Sequence, residues 1–203
     1  METKPEKADV QEFNRRAATY ENSANQGYFF DRGQRIVLNL AKDRKADAVL
    51  DVGCGTGRLL RKAKNLWPNA RLIGVDAAEK MTEQAKMLFP QAEFHFAMAE
   101  ALPLPDASVD LAFSTFSFHH WVDKAKGVSE IARVLHPGGR FLLADINAPF
   151  GLAVFVKRLK QNNPSIIRKF FVQAGLAVEL QRRPWRWSRV LVVTVGKKSA
   201  AEG

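Results

Sequence analysis

Two carboxylates and three glycines stand where their spacing could hold a ligand. Asp51 ends the apolar run Val49-Leu50 and is followed by Gly53, Gly55 and Gly57, and Asp76 ends a second apolar run twenty-five residues later. A buried parallel strand running through a tight turn into a helix is the usual place for a nucleotide-like ligand in an α/β sheet. Glycines there accept φ > 0 and let a ligand approach helix N–H groups. A dinucleotide fingerprint, Gly-x-Gly-x-x-Gly, would need a glycine at position 58, where the chain has Arg58. Asp51 also suits an ammonium group better than a pyrophosphate. Paired carboxylates at neighbouring strand ends favour a ligand with a cationic end and a sugar diol.

Further along, His119 and His120 follow an apolar run at 108–114, and Asp145 ends another at 140–146. Either histidine could accept a proton from a substrate hydroxyl or amine. Asp145, at a strand end, could steer or deprotonate an acceptor, and a hydrogen-bonded structural role competes with that. The two histidines and Asp123 could mimic a metal site, but no further His/Cys cluster supports one, so no metal is expected. Cys54 is the only cysteine and cannot form an internal disulfide.

The elements that must position these groups alternate between strand and helix. Residues 9–41 read as helices, with Phe13, Ala17 and Tyr20 on one face and Ile36, Val37, Leu38 and Leu40 on another. Strands are expected at 49–52, 71–76, 93–97, 108–114 and 140–146, with helices at 57–66, 78–88 and 123–135 between them. His136-Pro137-Gly138-Gly139 reads as a helix stop and turn. A helix at 165–175, closed by Gly175, precedes a final hairpin of strands 176–181 and 189–196. Its turn, Arg182 to Ser188, holds Trp185 and Trp187.

At 203 residues the chain is expected to form one domain with a substantial core. No apolar run reaches transmembrane length, and the charged N-terminus is unlike a secretory signal. A reducing cytoplasm is the simplest compartment for a chain with one cysteine. Residues 157–198 hold eleven Lys/Arg against the single acid Glu179, which equals the whole net charge of +10. Such asymmetry fits an anionic partner, whether lipid surface, nucleic acid or acidic substrate, or simply a solvated face. The apolar-then-basic stretch 150–160 reads as an interfacial helix or a core-packing one. Tryptophan with arginine in the final turn suits a membrane interface or stacking on single-stranded nucleic acid.

Val49 to Leu60 resembles motif I of the class I S-adenosylmethionine-dependent methyltransferases. The resemblance extends, in order, through Phe13 to Glu21, Asp76, Leu102-Pro103-Leu104-Pro105-Asp106, Phe118-His119-His120-Trp121 and Arg133-Val134-Leu135-His136-Pro137-Gly138-Gly139. It covers about residues 10–196 and is closest to the small-molecule group that includes the quinone-biosynthesis enzymes. It implies a Rossmann-like α/β fold: a seven-stranded sheet of order 3-2-1-4-5-7-6, strand seven antiparallel, with helices on both faces. One methyltransferase domain would span 1–203, with a helical cap at 1–41, a cofactor-binding core at 42–146 and a substrate-side and hairpin region at 147–198.

The same resemblance implies that S-adenosylmethionine is the cofactor and S-adenosylhomocysteine the product. Its contacts would be Asp51, Gly53, Cys54, Gly55, Gly57, Asp76, Ala77, Met81, Met98, Ala99, Glu100, Ser114 and Phe116. The family usually has Gly-Asp where this chain has Ala97-Met98, so the acidic acceptor for the adenine amino group is missing. Tyr20, Tyr28, His119, Trp185 and Trp187 would lie on the substrate side, and His119, His120 and Asp145 are the catalytic candidates. The expected activity is methyl transfer to a small molecule of lipophilic or anionic character, with peripheral contact to an anionic membrane and nucleic acid as the weaker partner. RNA or protein methylation through the basic C-terminal region, and a non-catalytic cofactor- or partner-binding role, stay open. The acceptor and its reacting atom are not legible in the sequence.

Overall fold

The structure is a computed structural model that describes residues 5–22, 30–146, 162–183 and 191–200. In chain order the elements are α1 (Pro5–Arg16), a 3₁₀ turn (Ala17–Asn22), α2 (Asp31–Ala41), β1 (Ala48–Val52), α3 (Arg58–Leu66), β2 (Arg71–Asp76), α4 (Glu79–Leu88) and β3 (Glu93–Phe96). They continue with β4 (Val109–Thr115), a short 3₁₀ turn (Phe118–His120), α5 (Lys124–Val134), β5 (Leu135–Ile146), α6 (Pro164–Gln173), β6 (Leu176–Arg182) and β7 (Leu191–Lys198). Among the described residues the seven strands form one sheet of order β3-β2-β1-β4-β5-β7-β6, as the resemblance implies. Strands β1 to β5 pair in parallel, and β7 runs antiparallel to both β5 and β6.

The strands are apolar along their whole length because both faces are covered. Side chains alternate between the faces, so Leu50 and Val52 join Phe118, Ile131 and Phe171 under α5 and α6. Val49 joins Val37, Leu59, Leu60 and Phe113 under α2 and α3 on the other face. Every residue of β1 is buried, Asp51 included. A carboxylate in that position is costly unless a ligand or partner compensates it. That cost falls at the carboxyl edge of β1.

One expectation needs correction. The segment His136 to Gly139 is not a turn between helix and strand, because β5 begins at Leu135, directly after α5. Val109 pairs with Leu135 but Leu111 pairs with Arg140, so β5 carries extra residues opposite one step of β4. Gly138 has φ 82° at this bulge, and a Cβ on Gly139 would lie 2.9 Å from the His136 carbonyl oxygen and 3.0 Å from that of Asp110. The glycines serve the bulge, which a turn signature in the sequence does not distinguish from a helix stop.

The segment before β4 is clamped to α5. Arg133 donates to Glu130, Asp106 and the carbonyls of Leu102 and Leu104, while Leu102 N–H donates to Glu130. The Glu130 to Gly139 motif thus holds the loop that borders the ligand cavity as well as shaping β5. Among the described residues no helix is long and apolar enough to cross a membrane.

Candidate cofactor and acceptor site

The loop after β1 is folded by hydrogen bonds to β2. Gly53 and Cys54 N–H both donate to the Val75 carbonyl, at 2.7 and 3.1 Å, and Gly55 N–H donates to Asp76 Oδ2 at 2.8 Å. Asp76 Oδ1 accepts from Ala78 N–H at 2.8 Å, which fixes the carboxylate between loop and α4. Gly53, Gly55 and Gly57 have φ 74°, 53° and 79°, in the left-handed region that other residues enter at a cost. A Cβ on Gly53 would lie 1.8 Å from Ser117 Oγ, so this position is closed to any side chain.

Asp51 is buried, and its Oδ1 has no hydrogen-bond partner among the described residues. Burial, reinforced by the charge of Asp76, pushes its carboxyl up to about 8. Burial also raises Asp76, against the two backbone N–H groups that favour its ionised form. Each Asp76 oxygen receives one backbone bond, and a carboxylate oxygen has a second lone pair for a ligand hydroxyl. Desolvation and the same two acids push the Cys54 thiol well above its ordinary range, which makes it an inert wall rather than a nucleophile.

Above this loop lie α1 and the 3₁₀ turn that follows it. Tyr20 stands over Gly55, 3.7 Å from where a Cβ would be. Glu21 accepts hydrogen bonds from Thr56 Oγ1 and, at 2.8 Å, from Arg61. Burial raises the Glu21 carboxyl, but those bonds with the charges of Arg61 and Arg58 outweigh it and hold the group below its usual range. Asn14 Oδ1 accepts from Lys80 N–H at 2.9 Å, capping the first turn of α4 from another helix. Phe13, Ala17, Tyr20, Ala78 and Met81 complete the contact as a small apolar cluster.

One cavity gathers most of the expected cofactor residues: Asp51, Gly53, Cys54, Gly55, Asp76, Ala77, Met81, Met98, Ala99, Glu100 and Phe116 line it. Gly57 and Ser114 do not. Gly57 turns the chain into α3, where a Cβ would lie 2.9 Å from the Phe94 ring. The period of two along β4 brings Thr115 to the cavity and leaves Ser114 fully buried. Tyr20 and His120 line the cavity, whereas His119 and Asp145 are absent from its wall. His119 Nδ1 lies 2.8 Å from Asp145 Oδ1 and its backbone N–H donates to Oδ2 at 3.0 Å. Ile146 N–H also donates to Asp145, so this aspartate fastens the His119 turn to the end of β5. Tyr28, Trp185, Trp187 and the stretch 150–160 lie outside the described residues.

Several lining residues escape sequence reasoning: Asp9, Val10, Phe30, Gln34, Thr56, Arg58, Ser117 and Trp121. Arg58 was visible as the residue that breaks the dinucleotide pattern, and it lies in the cavity wall. Phe116 has φ 56°, a strained conformation for an aromatic residue, and its ring packs against Phe30 at 4.7 Å between centroids. Trp121 Nε1 donates to Ser117 Oγ at 3.0 Å, fixing the hydroxyl over Gly53. Among the described residues no group of His, Cys, Asp and Glu is arranged to hold a metal ion.

The family model described as a methyltransferase domain matches residues 50–143. The methyltransferase YcgJ of Bacillus subtilis is 36% identical over 143 residues, 66% of this chain and 55% of that protein. The malonyl-[acyl-carrier protein] O-methyltransferase of Hahella chejuensis is 36% identical over 140 residues, 68% of this chain and 49% of the relative. The chain therefore spans about half the length of these curated relatives. The solved structure of YcgJ superposes with a TM-score of 0.70 at 24% identity, covering 83% of this chain and 99% of that one. A methyltransferase solved in complex with the Haloferax volcanii Trm112 methyltransferase activator gives 0.72 at 23% identity, covering 93% and 98%. These two superpositions carry the fold. With the family match lying over the glycine loop, both acids and the paired histidines, residues 50–143 are a methyltransferase domain, carried on the fold of the class I S-adenosylmethionine-dependent methyltransferases.

Proposed function

We propose that this chain binds S-adenosylmethionine in the cavity at the edge of β1 and β2 and transfers its methyl group to a small-molecule acceptor. The observation that carries the reading is the buried Asp51 Oδ1, unpartnered among the described residues, in the wall beside Asp76. An isolated buried carboxylate is costly, and an ammonium group is the ligand that relieves it. Asp51 would take the ammonium of the methionine part, Arg58 the carboxylate, and Asp76 the ribose hydroxyls. Met81 and Met98 would pack the adenine, whose amino group finds no carboxylate at position 98.

When bound, the cofactor supplies an activated methyl on a sulfonium. The protein's part is to align the acceptor and exclude water, for which proximity is the main effect. Phe13, Phe30, Phe116 and Trp121 give the cavity an aromatic wall that suits a flat or lipophilic acceptor. Arg182 ends β6, which runs parallel to β5, and Arg183 follows it, so they sit at the same sheet edge as the glycine loop and would favour an anionic acceptor or surface. We read the chain as a single methyltransferase domain with 1–41 as its cap. Met98 favours one second reading, a cofactor-binding protein without turnover.

Isothermal titration with S-adenosylhomocysteine tests the site. A one-to-one isotherm is expected, weakened at least tenfold by Asp76→Ala. A folded wild type that takes up no heat overturns the cofactor assignment. Binding without turnover across phenolic, carboxylate and quinone-precursor acceptors would favour the second reading.

A further inference from the structure

The cap helix reaches past the cofactor loop to a residue on the opposite wall. Asp9 Oδ2, on α1, lies 2.8 Å from Nδ1 of His120, in the turn after β4. Asp9 and His120 both line the cavity, and the Phe13 ring meets the His120 ring edge-on at 5.1 Å between centroids. We propose that Asp9 is a positioning residue that fixes the His120 tautomer, so that docking of the cap helix also creates the proton acceptor of the site. The inference rests on the methyl-transfer reading above.

An ionised carboxylate only accepts, so the hydrogen between Asp9 and His120 belongs to Nδ1, and neutral His120 keeps a bare lone pair on Nε2. No described residue donates to Nε2, and the side chain is 30% exposed, whereas His119 is 15% exposed beside a buried Asp145. His119 uses the same kind of pair to fasten its turn and is absent from the cavity wall. Of two adjacent histidines, one is thus structural and one faces the ligand.

The charged and titratable groups around His120 are Asp9 from α1, His119 beside it, Lys124 from α5 and Asp145 from β5. Burial, then His119 and Lys124, hold the imidazole down at about 4 against the pull of Asp145. Burial thus favours the neutral ring in the resting site at pH 7, with its lone pair available. With an O–H acceptor, the oxygen forms the new O–CH₃ bond as the C–S bond breaks and leaves its electron pair on sulfur. The acceptor's proton passes to His120 Nε2, and the imidazolium so formed lies against the Asp9 carboxylate. Cap and proton acceptor would then be one equilibrium: α1 is also docked through Asn14 on α4, and the turn that follows it through Glu21 on Thr56 and Arg61.

The test is a long-range ¹H–¹⁵N spectrum of histidine-labelled protein at pH 7, with His120→Gln for assignment. The wild type is expected to show His120 more than nine-tenths as the Nδ1–H form. Asp9→Ala should release it to a mixture with Nε2–H, and Asp9→Asn, whose amide oxygen still accepts, should restore the Nδ1–H form. Asn14→Ala, which loosens the helix without touching His120, should shift the populations in the same direction as Asp9→Ala. A wild type that is mixed or mainly Nε2–H overturns the proposal, as does an unchanged spectrum in Asp9→Ala. An unchanged spectrum in Asn14→Ala overturns the coupling to the cap. The spectrum needs no cofactor, so a missing S-adenosylhomocysteine isotherm with a pinned tautomer would overturn the methyl-transfer reading and leave the Asp9–His120 pair standing.

Discussion

The strongest consequence of a buried Asp51 whose Oδ1 has no partner among the described residues is that cofactor binding must be linked to pH. The carboxyl is pushed up to about 8 by burial and by Asp76, so the empty site holds it protonated at neutral pH. An ammonium group binds the ionised form, so association releases a proton wherever the empty site is protonated. The apparent dissociation constant then rises by a factor of one plus ten to the power (pKa − pH) as pH falls. For a free-site value near 8 and a bound-state value below 6, affinity weakens by about 50-fold from pH 8 to pH 6, roughly 2 kcal/mol. The sign follows because the ligated state binds fewer protons, so lower pH favours the free state. Isothermal titration of S-adenosylhomocysteine between pH 6 and 8, where its ammonium stays charged, measures this directly. Repeating pH 7 in two buffers of different ionisation enthalpy counts the released proton. Asp51→Asn should bind more weakly at pH 8 and lose most of the pH dependence. Equal affinity at pH 6 and pH 8 in the wild type, or the same slope in wild type and Asp51→Asn, would refute the reasoning.

Other outcomes follow from the same geometry. Without ligand, the raised Asp51 carboxyl binds a proton that the unfolded chain gives up near its ordinary value, so stability falls as pH rises from about 4 to 8. Asp51→Asn should therefore raise the apo melting temperature at pH 8 and change it little at pH 4, by scanning calorimetry. Gly53→Ala combines φ 74° with a Cβ 1.8 Å from Ser117 Oγ, and should cost about 1–3 kcal/mol by urea unfolding and at least tenfold in S-adenosylhomocysteine affinity. Met98→Asp restores an acceptor for the adenine amino group and should tighten binding several-fold, the gain vanishing with the 6-oxo analogue S-inosylhomocysteine. Arg133→Ala leaves Glu130 Oε1 and the Leu102 and Leu104 carbonyls without the Arg133 donor, and should lower the urea midpoint by the equivalent of about 2–3 kcal/mol.

The parts of this molecule that sequence reveals are those set by local rules. Apolar runs, glycine turns and helix periodicity are properties of short windows, and the strand order follows once the motifs are recognised. Asp51 and Asp76 could be singled out because each ends an apolar run, where a carboxylate costs free energy unless something uses it. Two corrections show the edge of that legibility. Gly138 and Gly139 look the same in sequence whether they stop a helix or shape a bulge, and the choice is made by pairing with β4, thirty residues away. Ser114 and Thr115 differ only in parity, and the one-residue register of a strand decides which of them reaches the cavity.

The histidines mark the deeper limit. Sequence presents His119 and His120 as equals, one residue apart on a turn, and no local rule separates them. Their difference is the identity of two carboxylates, Asp145 twenty-six residues later and Asp9 one hundred and eleven residues earlier. One partner is buried at a strand end and can only fasten. The other is carried on a helix that packs on α4 and lines the cavity, so its contact depends on how that helix sits. Long-range contacts of this kind are fixed only when the core is assembled, because loop closure of such length is favoured by packing of Phe13, Ala17 and Met81 and not by the polar pair itself. A site whose proton acceptor depends on a docked helix would be competent only while that helix is closed over the cleft, the state in which water is also excluded from the methyl. Aligning the base and drying the site would then be the same conformational event, which gives a physical reason for the aspartate to lie on the cap and not on the sheet.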